Sequence, residues 1–196
     1  MRIGVLADTH IPDRTNELPE EIFAHFQGVD LILHAGDVSE QAVLDRLGAL
    51  APVVAVHGNR DRRLPGLPRK TIINAGPWRI GLIHGTRSRA DLLRYLGGNT
   101  RFSDQRHYVR QAFAGDIVHC IVFGHTHHPY SEMVDGVLLF NPGGVLVALG
   151  GRSSSVGLLD VNDSGIVPHI ITLDHPPHPL DRLGRAWLSW SQRTRR

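Results

Sequence analysis

The 196-residue chain has a single cysteine, Cys120, so no internal disulfide can form and a small disulfide-stapled fold is excluded. One thiol with no partner fits a reducing compartment. No run of 18 or more apolar residues is present, which excludes a spanning helix of ordinary length. Met1 leads directly into Arg2–Ala7 without the charged stretch and apolar run of a secretory leader. The expectation is a soluble, cytoplasmic protein with no membrane contact. Net charge is also small, at +2, too little to imply a nucleic-acid or membrane partner. Nor do aromatic residues alternate with basic ones to make a stacking platform, so nucleic acid stays a weak candidate partner.

What is present is unevenly placed. Residues 1–61 hold ten acids against four arginines, a net of −6, which leaves +8 for residues 62–196. Thirteen histidines outnumber the six Phe, three Tyr and three Trp taken together. Surplus carboxylate at the front and surplus imidazole throughout point to a mixed site. The length suits one domain able to bury about 70% of its unfolded surface. We assign residues 1–174 to that domain and 175–196 to a Pro-rich spacer, a short helix carrying Leu180, Leu183, Trp187 and Leu188, and a basic tail.

Five short apolar runs each end in polar residues that can ligate a metal, or in residues beside them. Arg2–Ala7 reaches Asp8-Thr9-His10, Leu31–Ala35 reaches Gly36-Asp37, and Val53–Val56 reaches Gly58-Asn59. Ile80–Ile83 reaches His84, and Ile121–Phe123 reaches Gly124-His125-Thr126-His127. Runs of this kind read as buried strands. Helical patterns lie between the first three, at Leu18–Phe26 and at Ser39–Leu47, where Ser39 is the expected N-cap. Strand and helix in alternation predict a parallel sheet, whose ligands gather beyond the carboxyl ends of its strands, and so place all five clusters along one rim.

Helices are expected again at Arg89–Leu96 and Asp104–Phe113. After Pro129 the pattern changes to short strands, Tyr130–Val134 and Val137–Asn141 about an Asp135-Gly136 turn, then Val156–Val161 and Ile166–Leu173 about Asn162–Gly165. The second half should therefore build an antiparallel or mixed sheet, stacked on the first with helices outside.

If Asp8, His10, Asp37, Asn59, His84, His125 and His127 converge, they offer two carboxylates, an amide oxygen and four imidazoles. That mixture suits a pair of divalent transition metals and not an all-oxygen Mg²⁺ or Ca²⁺ site. Mn²⁺ leads the candidates, with Ni²⁺, Fe²⁺, Co²⁺ and Zn²⁺ also chemically suitable. A carboxylate such as Asp37 can bridge two cations about 3.5–4 Å apart.

These residues resemble the calcineurin-like metallophosphoesterases, and among them the small bacterial and archaeal phosphodiesterases. The resemblance rests on Asp8-Thr9-His10, Gly36-Asp37-Val38, Gly58-Asn59-Arg60-Asp61, Ile83-His84-Gly85 and Gly124-His125-Thr126-His127, in that order, over most of the chain. It implies an α/β fold of four layers, α/β/β/α, with two mixed sheets and a dinuclear centre. By analogy one cation would take Asp8, His10, Asp37 and His127, and the other Asp37, Asn59, His84 and His125. It also implies in-line attack on a phosphoester by a hydroxide bridging the two metals, with Asp37 central to catalysis. The substrate would be a small-molecule or nucleotide phosphoester, and homo-oligomers are expected by the same analogy. The turn Asn141-Pro142-Gly143-Gly144 also resembles one that many small members carry, and packing is its expected role.

Arg60 departs from the pattern. Many members carry a histidine there that can protonate the leaving group, which an arginine with a pKa above about 12 cannot do. Arg60 could instead hold a phosphate oxygen, or pair with Asp61 or another nearby acid. The absence of an obvious general acid favours a phosphodiesterase over a phosphomonoesterase and leaves open a noncatalytic scaffold of the same fold. Arg87, Arg89, Arg94, Arg101, Arg106 and Arg110 could receive further phosphates or form a solvated face.

Overall fold

The computed structural model describes residues 1–12, 17–86, 102–145 and 154–174. The expected helix at Arg89–Leu96 and the segment 175–196 lie outside the described residues. The elements are β1 (Arg2–Leu6), α1 (Glu20–His25), β2 (Leu31–His34), α2 (Gln41–Gly48), β3 (Val53–Ala55), β4 (Lys70–Ala75) and β5 (Trp78–Ile83). They continue with α3 (Phe102–Ala112), β6 (Cys120–Phe123), β7 (Tyr130–Val134), β8 (Val137–Asn141), β9 (Ser155–Asn162) and β10 (Gly165–Thr172). Among the described residues no helix is long and apolar enough to cross a membrane.

Two five-stranded sheets form, ordered β10-β9-β1-β2-β3 and β4-β5-β6-β8-β7. In the first, β1, β2 and β3 are parallel, while β9 runs antiparallel to β1 and pairs Arg2 with Asp160. In the second, β5, β6 and β8 are parallel, edged by antiparallel β4 and β7. Both are therefore mixed sheets.

Alternation along the strands sets the layers. Ile3 and Val5 of β1, Ile80 and Leu82 of β5, Cys120 and Val122 of β6 and Phe140 of β8 join one buried cluster between the sheets. On the other face of the first sheet, Leu6 and Ile32 pack with Ile22 and Phe26 near α1 and with Val43 and Leu47 of α2. On the other face of the second, Ile83, Ile121 and Phe123 pack with Val109 of α3 and with Phe113 just beyond it. The result is the helix, sheet, sheet, helix order that the sequence implies.

Three expectations need correction, and one strand was not foreseen. The second half does not build one sheet of its own: β9 and β10 return to the first sheet, because β1 would otherwise be a buried edge with unpaired backbone groups. β4 follows no recognised apolar run, since Lys70–Ala75 is an antiparallel edge with only Ala75 fully buried. The five clusters do not share one rim. Three end strands of the first sheet and two end strands of the second, and they meet across the interface. Finally, α2 starts at Gln41 behind Glu40, with no side-chain cap. Ser39 has φ 75°, outside the extended backbone that an N-cap needs, and its amide is taken by Asp61. The Asp135-Gly136 turn forms as expected, with φ 48° and 76° at its two residues and Val134 opposite Val137.

Phe113 is 2% exposed and helps hold α3 on the second sheet, away from the strand-end loops. Phe113→Ala should cost about 3–5 kcal/mol of stability in urea unfolding, while the protein that remains folded keeps its metal affinity.

Candidate metal centre

Asp8 and His10 lie just past β1, Asp37 past β2, Asn59 past β3, His84 past β5, and His125 and His127 past β6. Backbone bonds lace these loops together. The Asp8 amide donates to the Gly36 carbonyl at 3.0 Å and the His10 amide to the Asp37 carbonyl at 3.1 Å. Within the second sheet's loops the Gly124 amide donates to the His84 carbonyl at 3.2 Å, and between the sheets the His125 amide donates to Asp8 Oδ2 at 3.0 Å. Five of the seven candidate ligands, Asp8, His10, Asp37, His125 and His127, have φ between 50° and 72°. Such left-handed backbone costs on the order of 1–3 kcal/mol per residue and persists only where surrounding contacts fix it.

All seven candidates come together in two adjoining groups. In one, His10 Nε2 lies 3.3 Å from His127 Nε2 with the two rings stacked, and Asp8 Oδ1 lies 3.4 Å from His127 Nε2. In the other, Asn59 Oδ1 lies 3.0 Å from His84 Nε2 and 3.2 Å from His125 Nδ1. Asp37 stands between them: Oδ2 is 3.7 Å from His10 Nε2, and Oδ1 is 3.5 Å from His84 Nε2. Asp8 reaches further than the family analogy suggests, because its carboxylate also falls within ligating distance of Asp37 and His84.

The donor chemistry fits divalent metals. His84 Nδ1 sits 2.7 Å from the Ala35 carbonyl, which can only accept, so the ring proton is there. Its Nε2 is left facing Asn59 Oδ1 and Asp37 Oδ1, and three acceptors meeting there favour a cation among them. Without a metal the cation is a proton. Burial opposes charge on His84, but Asp37 outweighs it and lifts the imidazole pKa to about 9. Burial likewise disfavours the Asp37 carboxylate, yet His84, then His10 and the Arg60 amide, hold it well below the usual carboxylate range.

Several further residues support the candidate ligands, and of these Thr86 was not singled out from the sequence. Asp61, 0% exposed, accepts the amides of Asp37 at 2.9 Å, Ser39 at 2.7 Å and Gly58 at 2.8 Å. It is therefore not the partner of Arg60, and among the described residues Arg60 forms no ion pair. The Arg60 amide donates to Asp37 Oδ1 at 2.7 Å while its side chain is exposed. Gly58 must lack a side chain, since a Cβ would lie 2.2 Å from Asp37 Oδ1. The Thr86 hydroxyl donates to Asn59 Oδ1 at 2.9 Å. Thr9 Oγ1 lies 3.2 Å from His34 Nε2 and donates to the Val38 carbonyl at 3.1 Å. Buried His34 is kept neutral, its pKa lowered to about 3 chiefly by burial and then by His84. Asn141 Nδ2 donates to the Gly124 carbonyl and to Thr126 Oγ1, so the Asn141–Gly144 turn packs against the histidine loop. Thr86 lies two residues beyond His84, which was the one available signal for it.

The fold and site together define a metal-binding α/β protein. Residues 1–164 match the model of the calcineurin-like phosphoesterase superfamily domain, and the chain belongs to that family. It is 41% identical over 145 residues to a "probable metallophosphoesterase" of Methanothermobacter thermautotrophicus, covering 73% of this chain and 76% of that one. It is 27% identical over 200 residues to the phosphodiesterase YfcE of Escherichia coli K12, covering 87% and 97% of the two chains. Among solved structures, wild-type Vps29 from Entamoeba histolytica complexed with Zn²⁺ superposes with a TM-score of 0.64 at 23% identity, covering 88% of this chain and 99% of that one. That last likeness shows the fold alone.

The pKa shifts fix a pH dependence for the metal-free protein. His84 rises from 6.5 to about 9, so its stabilisation is complete below pH 6.5 and is lost as pH climbs through 9. His34 falls from 6.5 to about 3, so its stabilisation is present above pH 6.5 and is lost as pH falls through 3. The two contributions together place the stability maximum of chelator-treated protein near pH 6.5. Mn²⁺ should remove the decline between pH 6.5 and 9 by taking the place of the His84 proton. Thermal unfolding against pH, with chelator and with Mn²⁺, measures both.

Proposed function

We propose that the protein is a two-cation phosphodiesterase that hydrolyses a small-molecule or nucleotide phosphodiester. The observation that carries this reading is Asp37, whose two oxygens face two different imidazoles, Oδ2 toward His10 and Oδ1 toward His84. Asp8, His10, Asp37 and His127 would hold one cation, and Asp37, Asn59, His84 and His125 the other, with Mn²⁺ the first choice. When bound, a pair of divalent cations supplies Lewis acidity and makes water nucleophilic near neutral pH. Its +4 exceeds the −2 of Asp8 and Asp37, so the site attracts an anionic ester.

The chain's own residues set the rest. Asp8 and Asp37 are ligands and hold no proton to give. Arg60, fixed by its amide to Asp37 and free of Asp61, can place its guanidinium on a non-bridging phosphate oxygen as charge builds there. It cannot protonate a leaving group. Esters whose leaving oxygen needs no proton are therefore favoured, which selects activated diesters over alkyl monoesters. The phosphodiesterase description of the E. coli relative supports the same choice. A noncatalytic scaffold is the second reading; Arg60 in place of a proton-donating residue favours it, and the full donor set counts against it.

Metal-stripped protein restored with Mn²⁺, Ni²⁺, Co²⁺ or Zn²⁺ should hydrolyse an aryl phosphodiester faster than the matching monoester. Two bound metals with no turnover of either ester would favour the scaffold. Arg60→Ala should lower kcat about 10²–10³-fold with metal content unchanged. Unchanged kcat and KM would assign Arg60 to structure.

A further inference from the structure

Among the described residues Asp61 is the one fully buried acid outside the proposed ligand set, and it makes its hydrogen bonds to two different ligand loops. Oδ1 takes the Ser39 amide, and Oδ2 takes the amides of Asp37 and Gly58. Ser39 and Asp37 belong to the loop after β2, and Gly58 to the loop after β3, next to Asn59. The carboxylate thus ties together the two loops that deliver Asp37 and Asn59.

The tie matters because the local geometry is tight and strained. Asp37 and Ser39 have φ 55° and 75°, conformations that a side chain adopts only when held. Gly58 approaches Asp37 so closely that even a methyl group would overlap its carboxylate. Asp37 Oδ1 also receives the Arg60 amide, from the residue adjoining Asp61. A small shift of the 58–61 loop would therefore turn the Asp37 carboxylate away from one of its two imidazoles.

We propose that Asp61 is a positioning residue of the two-cation centre, clamping both ligand loops so that Asp37 keeps one oxygen toward each half of the donor set. The inference rests on the two-cation reading above. An asparagine in its place keeps the shape but presents an NH₂ to one of three N–H donors, which it cannot accept. A residue supporting a ligand in this way is typically worth about 10–100-fold in metal affinity.

The test is Mn²⁺ binding by calorimetry, with electron paramagnetic resonance to detect exchange coupling between two Mn²⁺ ions. Wild type should bind two ions and show the coupled signal. Asp61→Asn should bind the second ion 10–100-fold more weakly and lose that signal at matched loading. Asp61→Glu, which keeps charge and both acceptors, should retain two ions with altered coupling. If the Asn variant does not fold, the Glu variant carries the test, and coupling identical to wild type overturns the inference. A folded Asn variant with wild-type stoichiometry and coupling overturns it too, while leaving the two-cation reading intact. A wild type that shows no coupled pair overturns that reading and Asp61's role with it.

Discussion

The structure depends on one electrostatic constraint: a buried excess of hydrogen-bond acceptors that only a cation can satisfy. Asp8 and Asp37 are 0% and 2% exposed, and His84 turns its lone-pair nitrogen toward them because the Ala35 carbonyl has claimed its other proton. Burying one unpaired charge costs several kcal/mol. The surroundings answer in two ways, by admitting a proton on His84 or by offering a complete ligand set to a metal. The lifted pKa of His84 and the depressed pKa of Asp37 are two views of that demand.

Much of the architecture serves to deliver this excess to one place. The parallel strands of both sheets end at the interface between them, so neither sheet alone contains the centre. The bonds from His84 Nδ1 to Ala35 and from the His125 amide to Asp8 cross from one sheet's loops to the other's. The left-handed backbone at five candidate ligands is held in part by Asp61 and by the close loop crossings, while Asn141 braces the histidine loop at Gly124 and Thr126. Strain at the strand ends is thus offset by hydrogen bonds that lie just beneath them.

The strand ends and donor residues were legible because they follow local rules. An apolar run stopped by Asp-Thr-His or Gly-Asp announces both a buried strand and what it delivers, and β1, β2, β3, β5 and β6 all do so. The Asp-Gly turn is equally local. The return of β9 to β1 was not legible, since Arg2 pairs with Asp160 across most of the chain and neither segment encodes its partner. β4 was missed because an edge strand buries little and so carries no clean alternation. Ser39 was misread for a related reason: its residue type suits a helix cap, but a tertiary bond from its amide to Asp61 sets its backbone. Asp61 was one of the acids offered as an alternative partner for Arg60, and its true role was hidden because the amides it accepts come from residues whose proximity only the fold creates.

The choice between those alternatives bears on function. Had Asp61 paired with Arg60, the guanidinium would have been neutralised. Because three amides take up the Asp61 charge, Arg60 keeps its own charge while its amide anchors the backbone against Asp37. On the proposed reading, adjacent residues divide two tasks, Asp61 ordering the ligand loops and Arg60 presenting positive charge to the substrate. A scaffold would have no use for that division. On the proposed reading, the donor set and the Arg60 charge both serve chemistry on an anion.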